Sequence, residues 1–420
     1  MISNRSWYQD SVPEEAARPE AGDMDVDVAI VGGGYTGLGA ALELASHGVA
    51  VAVFEACRIG DGASGRNGGQ IHPGQRLDPA TLTGMVGADA ARQLWDMADD
   101  ARKSLLKLIT DHEIDCDLRP GLIHAWHRPR FEADDRAHVA ALATWGYDSL
   151  QILDEAEVAA RLGTTAYRGG LFDARGGHLH PLKLILGMAT AAEAAGAKLF
   201  ENSRIARFEQ TPDGARLFLA GGGTIVCRKL LLCGNGLMEG LDPTVDARVL
   251  PIHNFMLATA PLDDPAILPE NPAVSDSRFV VNYFRKSADN RLIFGGGEGY
   301  GTGFPRDIAA LVRRNMLKVF PRLAGVEITH AWDGTLAVTL TRAPFVRQLS
   351  ANVLVSAGYS GQGVVLAPYF GKLLARTIMG DSRDLELLSR LGVPPFFGGR
   401  WLRKPMLAMG LSYYALRDRM

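Results

Sequence analysis

Residues 26–31, VDVAIV, form a near-continuous apolar run of the kind a central parallel strand needs, and they enter the glycine-rich stretch 32–37 without a break. An Ala- and Leu-rich helical stretch follows over 38–47, Gly48 stops it, and 49–54 reads as a second strand closed by Glu55. The pattern predicts a βαβ unit. Helical spacing returns at Leu94, Met97, Ala98, Ala101, Leu105 and Leu108, and 118–126 then looks extended, so a second domain is expected to open at 88. Another Ala-rich helix over 182–195 ends at Gly196 and leads to strand-like 198–200 and 205–208, which returns the chain to the first domain. Residues 229–233, KLLLC, again run as an apolar strand into glycines, at Gly234 and Gly236.

From 250 to 345 the segments shorten and alternate with period two. Val281, Tyr283 and Arg285 fall on one face, Asn282, Phe284 and Lys286 on the other, and a turn follows at 287–290. This predicts an antiparallel sheet. A last buried strand over 353–356 opens at 358–363, GYSGQG, into a helical pattern over 364–379, and no long internal repeat is visible. The expected fold is an α/β Rossmann-like domain, residues 1–87, 178–247 and 346–420, plus an α+β substrate domain with an antiparallel sheet, residues 88–177 and 248–345.

Composition narrows the function classes. In 420 residues, 47% are apolar and 22% charged, with no long uninterrupted apolar stretch, which argues against a disordered chain or an integral helical membrane protein. A balance of 44 Lys+Arg against 47 Asp+Glu, net -3, speaks against nucleic acid as a partner. Cys57, Cys116, Cys227 and Cys233 are scattered, so neither a zinc site nor a disulfide framework is expected and no metal is assigned. The first residues are polar without an apolar core, which predicts no signal peptide, a segment that wraps over the domain surface, and a cytoplasmic location. The 48 glycines cluster where backbone is brought close to something else.

The turn 32–37 carries the chemistry. Gly32 allows the tight turn, Gly34 lets a pyrophosphate approach, Gly37 lets helix and strand pack, Tyr35 and Thr36 are counted with them as cofactor-binding, and the N-terminus of the helix that follows faces the phosphates. Glu55 is placed to accept hydrogen bonds from a ribose hydroxyl, the bland alternative being a surface residue at a strand end. There is one such fingerprint, so one dinucleotide is expected. The glycine-rich segment 60–70 is too long and polar for a simple connection and reads as a cofactor loop, in which Arg66 would lie near a reduced, anionic ring system.

VGGGYTGLGAALELA, Glu55, GDGASGRNGGQ, GGHLHPLKL, RLIFGGG, WDGTLAVTLTRAP and GYSGQGV together resemble the D-amino-acid-oxidase-like FAD oxidoreductases over nearly the whole chain, from Tyr8 to the closing MGLSYY at 409–414. The resemblance implies an FAD domain of the glutathione-reductase type built from separated segments, and a substrate domain whose sheet covers the flavin. It implies oxidation of a carbon-nitrogen bond by hydride transfer to flavin N5, with O2 as acceptor. A primary amine such as gamma-glutamylputrescine would give aldehyde, ammonia and H2O2. Carried over, Gly32, Gly34, Gly37 and Glu55 hold the adenosine diphosphate end, Ser64, Gly65, Arg66, Asn67 and Gly68 pass beside the flavin, and Gly358, Gly361, Gln362 and Gly363 lie near its pyrimidine ring. Two positions depart from the family pattern: Gln362 where His is frequent, and Arg347 where Gly is usual. No donor for covalent attachment stands out, so FAD is expected to be non-covalent.

His178 and His180 invite a catalytic reading, and a structural one at a domain junction is equally open. On the Tyr283 face, Arg285 would bind a substrate carboxylate and Tyr283 border the amine if that face covers the flavin. Lys286 is a weaker candidate for a cation promoting O2 reduction, and Trp332 is expected in the core. The basic, amphipathic stretch 406–420 reads as a closing helix, with membrane docking a lesser alternative. Two alternatives stay open: a dehydrogenase of amines or amino acids delivering electrons to a quinone, and a non-catalytic flavin-binding protein.

Overall fold

The computed structural model of the chain describes residues 5–299 and 307–398, so the expected helix at 406–420 and the motif at 409–414 lie outside the described residues. Among the described residues the strands form two large sheets. In the first, the order is Phe345–Ser350, Val353–Ala357, Thr224–Leu232, Met24–Val31, Val51–Phe54, Lys198–Phe200. All neighbours are parallel except the Phe345–Ser350 edge, and the hairpin Ile205–Thr211/Gly214–Leu219 extends Thr224–Leu232 antiparallel. The register pairs Val31 with both Phe54 and Leu232, and Leu232 with Val355. Four strand ends therefore deliver Gly32, Glu55, Gly234 and Gly358 to one edge, the position where open parallel sheets bind ligands.

Helices Tyr35–Ser46 and Gly363–Ile378 cover one another at glycines. A Cβ on Gly39 would lie 2.3 Å from the Pro368 carbonyl oxygen, and one on Gly371 would lie 2.0 Å from that of Thr36. The backbones touch there, and no larger residue fits without moving a helix.

The second sheet runs Ile328–Val338, Leu250–Pro261, Arg291–Gly299, Tyr283–Lys286, Ala273–Asp276, Arg119–Ala125, Gly170–His178, Gln70–Ile71, with Leu150–Leu153 on Gly170–His178. It is antiparallel except where Ala273–Asp276 meets Arg119–Ala125. Period two sorts its faces. Phe255, Phe284 and Phe294 pack against helix Ile308–Val319 and Phe320, with Phe284 stacked 5.3 Å from Phe294. Met256, Ala258, Ile293 and Trp332 turn the other way and join the first core.

Three features depart from the sequence reading. Helix Ala88–Asp111, expected to open the second domain, buries Leu94, Met97, Ala98, Ala101 and Leu105 in the first core. Its amphipathic stripe shows that one side is covered, not by what. Gln70–Ile71, grouped with residues 1–87, pairs instead with Gly177 and His178 in the second sheet. The N-terminal segment does not simply lie on the surface: Trp7 and Tyr8 are buried, and the short helix Trp7–Asp10 starts on a Ser6 capping box.

Candidate functional site

Between the glycine edge of the first sheet and the inner face of the second lies a cavity of about 590 Å³. Gly32, Gly33, Gly34, Tyr35, Thr36 and Glu55 line one end of it. Gly32 has φ +105, and a Cβ there would meet Gly234 Cα at 2.8 Å. A Cβ on Gly37 would meet the Gly32 carbonyl oxygen at 2.0 Å, so the turn closes only with glycine at both positions. Glu55 accepts from Gly33 N (2.8 Å) and Cys57 N (3.1 Å). Burial pushes its carboxyl pKa up, and these backbone bonds oppose the shift.

The loop after Glu55 is held from within and from the second sheet. Asn67 donates from Nδ2 to the carbonyls of Ala63 and Ser64, and its Oδ1 accepts from Gly69 N at 2.7 Å. Ser64 Oγ accepts from Tyr35 N at 3.1 Å, tying the loop to the first helix N-terminus. Gly65 packs on Gly60, and Gly68 lies against the Tyr283 ring. Arg66 lines the cavity, but its Nε donates to the Asp333 carbonyl (2.7 Å) and its Nη2 pairs with the Asp333 carboxylate (3.4 Å). Its charge is thus shared with Asp333 rather than left for the cavity alone. Trp332, a core residue, donates from Nε1 to the Arg66 carbonyl.

At the opposite wall Gly358 (φ +77) donates from N to Asn235 Oδ1 at 2.8 Å, and Gly361 (φ +104) and Gly363 open the helix Gly363–Ile378. Gln362 at its start leaves Oε1 buried without a partner among the described residues. Thr36 Oγ1 and Tyr359 Oη, 2.6 Å apart, join this turn to the first.

These residues fit FAD. A cradle that a side chain at Gly32 or Gly34 would fill, an acid at its end, two helix N-termini opening onto one cavity, and an orphaned amide oxygen match a dinucleotide with a polar ring.

Of the residues expected to act on substrate, the structure brings one to the cavity. Tyr283 lines it and donates from Oη to Asn254 Oδ1. Arg285 shares its face but sits beneath the loop, 2% exposed, donating to Gly68 O (2.9 Å), Tyr8 Oη (3.2 Å) and Lys286 O (3.4 Å). It does not line the cavity, so the expectation that it grips a substrate carboxylate is corrected. His180, expected to be catalytic, is a helix cap: Nδ1 accepts from Lys183 N, Nε2 bonds Ser11 Oγ, and the ring packs on Trp7 and Tyr8. His178 bonds the Asn271 carbonyl. Desolvation, with the Arg285 charge second, holds both imidazoles down to about 3, and neither reaches the cavity. Lys286 lies on the far face and lines no part of the cavity. Arg347 donates to the carbonyls of Leu388 (3.1 Å) and Leu391, so this departure fastens the end of helix Arg383–Ser389 and stands away from the cavity.

His72, Arg76, His124, Asn254 and Arg342, which no motif marks in the sequence as site residues, also line the cavity. His72 is held down to about 4, first by desolvation and then by the Arg76 charge, and is a neutral imidazole at pH 7. Asp276 also borders the cavity, but its carboxylate is taken by Arg278, Tyr167 and Asn282. Among the described residues no cluster of metal-ligating side chains occurs, and no helix is long and apolar enough to cross a membrane.

Residues 27–377 match the family described as DAO, FAD dependent oxidoreductase. The chain is 44% identical over 417 residues to a probable oxidoreductase OrdL of Rhizobium meliloti (strain 1021), covering 99% of this chain and 97% of that one. It is 36% identical over 398 residues to gamma-glutamylputrescine oxidoreductase of Escherichia coli (strain K12), covering 94% and 93%. In three dimensions it is similar to glycine oxidase from Geobacillus kaustophilus, with TM-score 0.72 and 22% identity over 89% of this chain and 96% of that one.

Proposed function

The chain belongs to the family of FAD-dependent oxidoreductases, and on that premise we propose that it oxidises the carbon-nitrogen bond of a primary amine, gamma-glutamylputrescine or a close analogue, with O2 as electron acceptor. The observation that carries the reading is the 36% identity to gamma-glutamylputrescine oxidoreductase along 94% of this chain. When bound, FAD supplies a two-electron acceptor for the hydride equivalent of the amine's α C–H. The overall change is R–CH2–NH2 + O2 + H2O → R–CHO + NH3 + H2O2.

The chain's own part is positioning and exclusion. Gly32, Gly34 and Glu55 hold the nucleotide end, while Asn67, Gly68 and Arg285 fix the loop that runs toward Tyr283. Tyr283, oriented by Asn254, forms the wall against which the amine would rest. Met256 and Phe279 line the same cavity with apolar surface that excludes water and disfavours an ammonium. Only an amine with its nitrogen lone pair available can form the C=N bond as the hydride leaves. No side chain is assigned as base: His178 and His180 stand outside the cavity, and Asp276 is saturated by its partners. The test is product stoichiometry. Gamma-glutamylputrescine with purified holoenzyme in air should give aldehyde, ammonia and peroxide in equal amounts. Aldehyde formed only with an added quinone, without peroxide, would remove O2 from the proposal.

A further inference from the structure

Gln70 and His72 both line the cavity, from the short strand Gln70–Ile71 and the residue that follows it. Gln70 Nε2 donates to the Val274 carbonyl at 2.7 Å. A carbonyl only accepts, so the amide nitrogen must face Val274, and the amide oxygen Oε1 faces His72 Nε2 at 3.1 Å. Oε1 in turn only accepts, so His72 Nε2 is the donor and carries the ring proton. Burial first, and the Arg76 charge second, hold this imidazole to about 4 and keep it neutral at pH 7. The other ring nitrogen, Nδ1, is therefore a bare lone pair. No described residue donates to it, and the open space beside the ring is the cavity.

The Val274 carbonyl that fixes Gln70 belongs to strand Ala273–Asp276, and the next residue, Ser275, pairs with His124 on one side and Tyr283 on the other. These three residues line the cavity too, so the His72 lone pair belongs to the same wall as Tyr283. The Arg76 charge disfavours a cation beside the ring and leaves an uncharged N–H as the donor that fits. We propose that His72 Nδ1 accepts a hydrogen bond from an uncharged N–H of the substrate, with Gln70 as the positioning residue that keeps the lone pair in place. This rests on the reading of the cavity as the place of amine oxidation and adds a side chain that touches the substrate. His72 accepts a hydrogen bond and takes no proton, because an imidazole held to about 4 does not draw one from an alkylammonium, whose ordinary value is about 10. The donor is either the reacting amine in its neutral form or an amide of the substrate's arm, which share this chemistry.

The experiment compares kcat/KM for N-acetylputrescine, which has one amine and one amide, and for heptylamine, an amine of the same length without the amide, in wild type, His72→Leu and His72→Asn. His72→Leu should lose about threefold to tenfold, the size of one uncharged hydrogen bond. His72→Asn, whose Oδ1 is bonded to Cγ as Nδ1 is, should recover part of that loss. A loss on both amines puts the donor at the reacting nitrogen, a loss on N-acetylputrescine alone puts it at the amide, and either upholds the acceptor. Unchanged values for both amines in FAD-loaded His72→Leu overturn it. Loss of FAD from both His72 variants also overturns it, by making His72 a cofactor contact. Nitrogen NMR of holoenzyme labelled at histidine reads the ring without turnover. The signals that vanish in His72→Asn should show a bare Nδ1 and a protonated Nε2 at pH 7, and Gln70→Leu should mix the two tautomers. The Nδ1 signal should shift with N-methylacetamide, or with tert-butylamine, which has no α C–H to lose, at about pH 10 where a large share of it is neutral. A proton found on Nδ1, or a signal that neither probe moves, overturns the proposal. If no amine reduces the flavin, amine oxidation fails by itself, and the nitrogen signals still decide whether His72 is the acceptor.

Discussion

Arg285 donates from Nε to the Gly68 carbonyl at 2.9 Å, so a buried cation of the second sheet holds the loop that lines the cavity between the two sheets. The same guanidinium reaches Tyr8 Oη at 3.2 Å, which fastens the N-terminal segment to the loop as well. Replacing Arg285 by Met leaves the buried Tyr8 Oη without this donor, at a cost of about 1–3 kcal/mol, and frees the half-buried Gly68 carbonyl that anchors the loop. The expected outcome is weaker FAD retention and a lower melting temperature, measured by flavin fluorescence on heating. A variant that keeps FAD and stability but loses activity on the amine would place Arg285 against substrate.

Gly34→Val should yield protein without FAD. A Cβ at Gly34 already meets Ser64 Oγ at 3.0 Å, and the branch beyond it fills the approach to the turn. Gly48→Ala is the control. Gly48 has φ +75 with nothing within 4 Å of a Cβ, so the change costs only backbone strain, about 1 kcal/mol, and FAD stays bound. The flavin absorbance of the purified variants separates the two.

His178 and His180 set an acid limit on stability. Their folded pKa values, about 3, lie below the ordinary value of 6.5, so the unfolded chain takes up protons that the folded chain refuses. Their contribution is complete above about pH 6.5 and is lost as pH falls toward 3, at about 1.4 kcal/mol per unit for each histidine. Urea unfolding between pH 7.5 and 5 should show this slope, and His178→Gln should remove one proton's share of it.

Flavin reduction at subsaturating amine should rise with pH through the ionisation of the amine. His72, held to about 4, stays neutral across that range and adds no step. The profile should persist in His178→Ala and His180→Ala variants that retain FAD, because neither ring reaches the cavity. Disappearance of the pH dependence in either variant would make that histidine the base.

The nucleotide turn was legible because everything it needs is local: strand, Gly32, Gly34, Gly37, helix and Glu55 are neighbours in the chain, and each glycine answers one contact. Element ends were less so. The helix read over 38–47 begins three residues earlier, at Tyr35, because Gly34 caps it inside the motif. Period two placed Tyr283 and Arg285 on one face correctly but said nothing of position along the strand, and one residue meets the cavity while the other lies under the loop. His180 carried a usable signal of a different kind, since Pro181 directly after it marks the first turn of a helix and His180 as its cap. Arg76 and Arg342 lie in aperiodic loops, and only the fold brings both to the cavity.

Anaerobic mixing of the holoenzyme with gamma-glutamylputrescine, followed by flavin absorbance, decides whether this amine reduces the flavin. Bleaching is expected within the time of a turnover, with recovery when O2 is admitted, one peroxide per bleached flavin, and no comparable bleaching by NADH or NADPH, because a single dinucleotide fingerprint is present. Bleaching by NADPH within seconds while gamma-glutamylputrescine and a panel of other amines leave the flavin oxidised would contradict it.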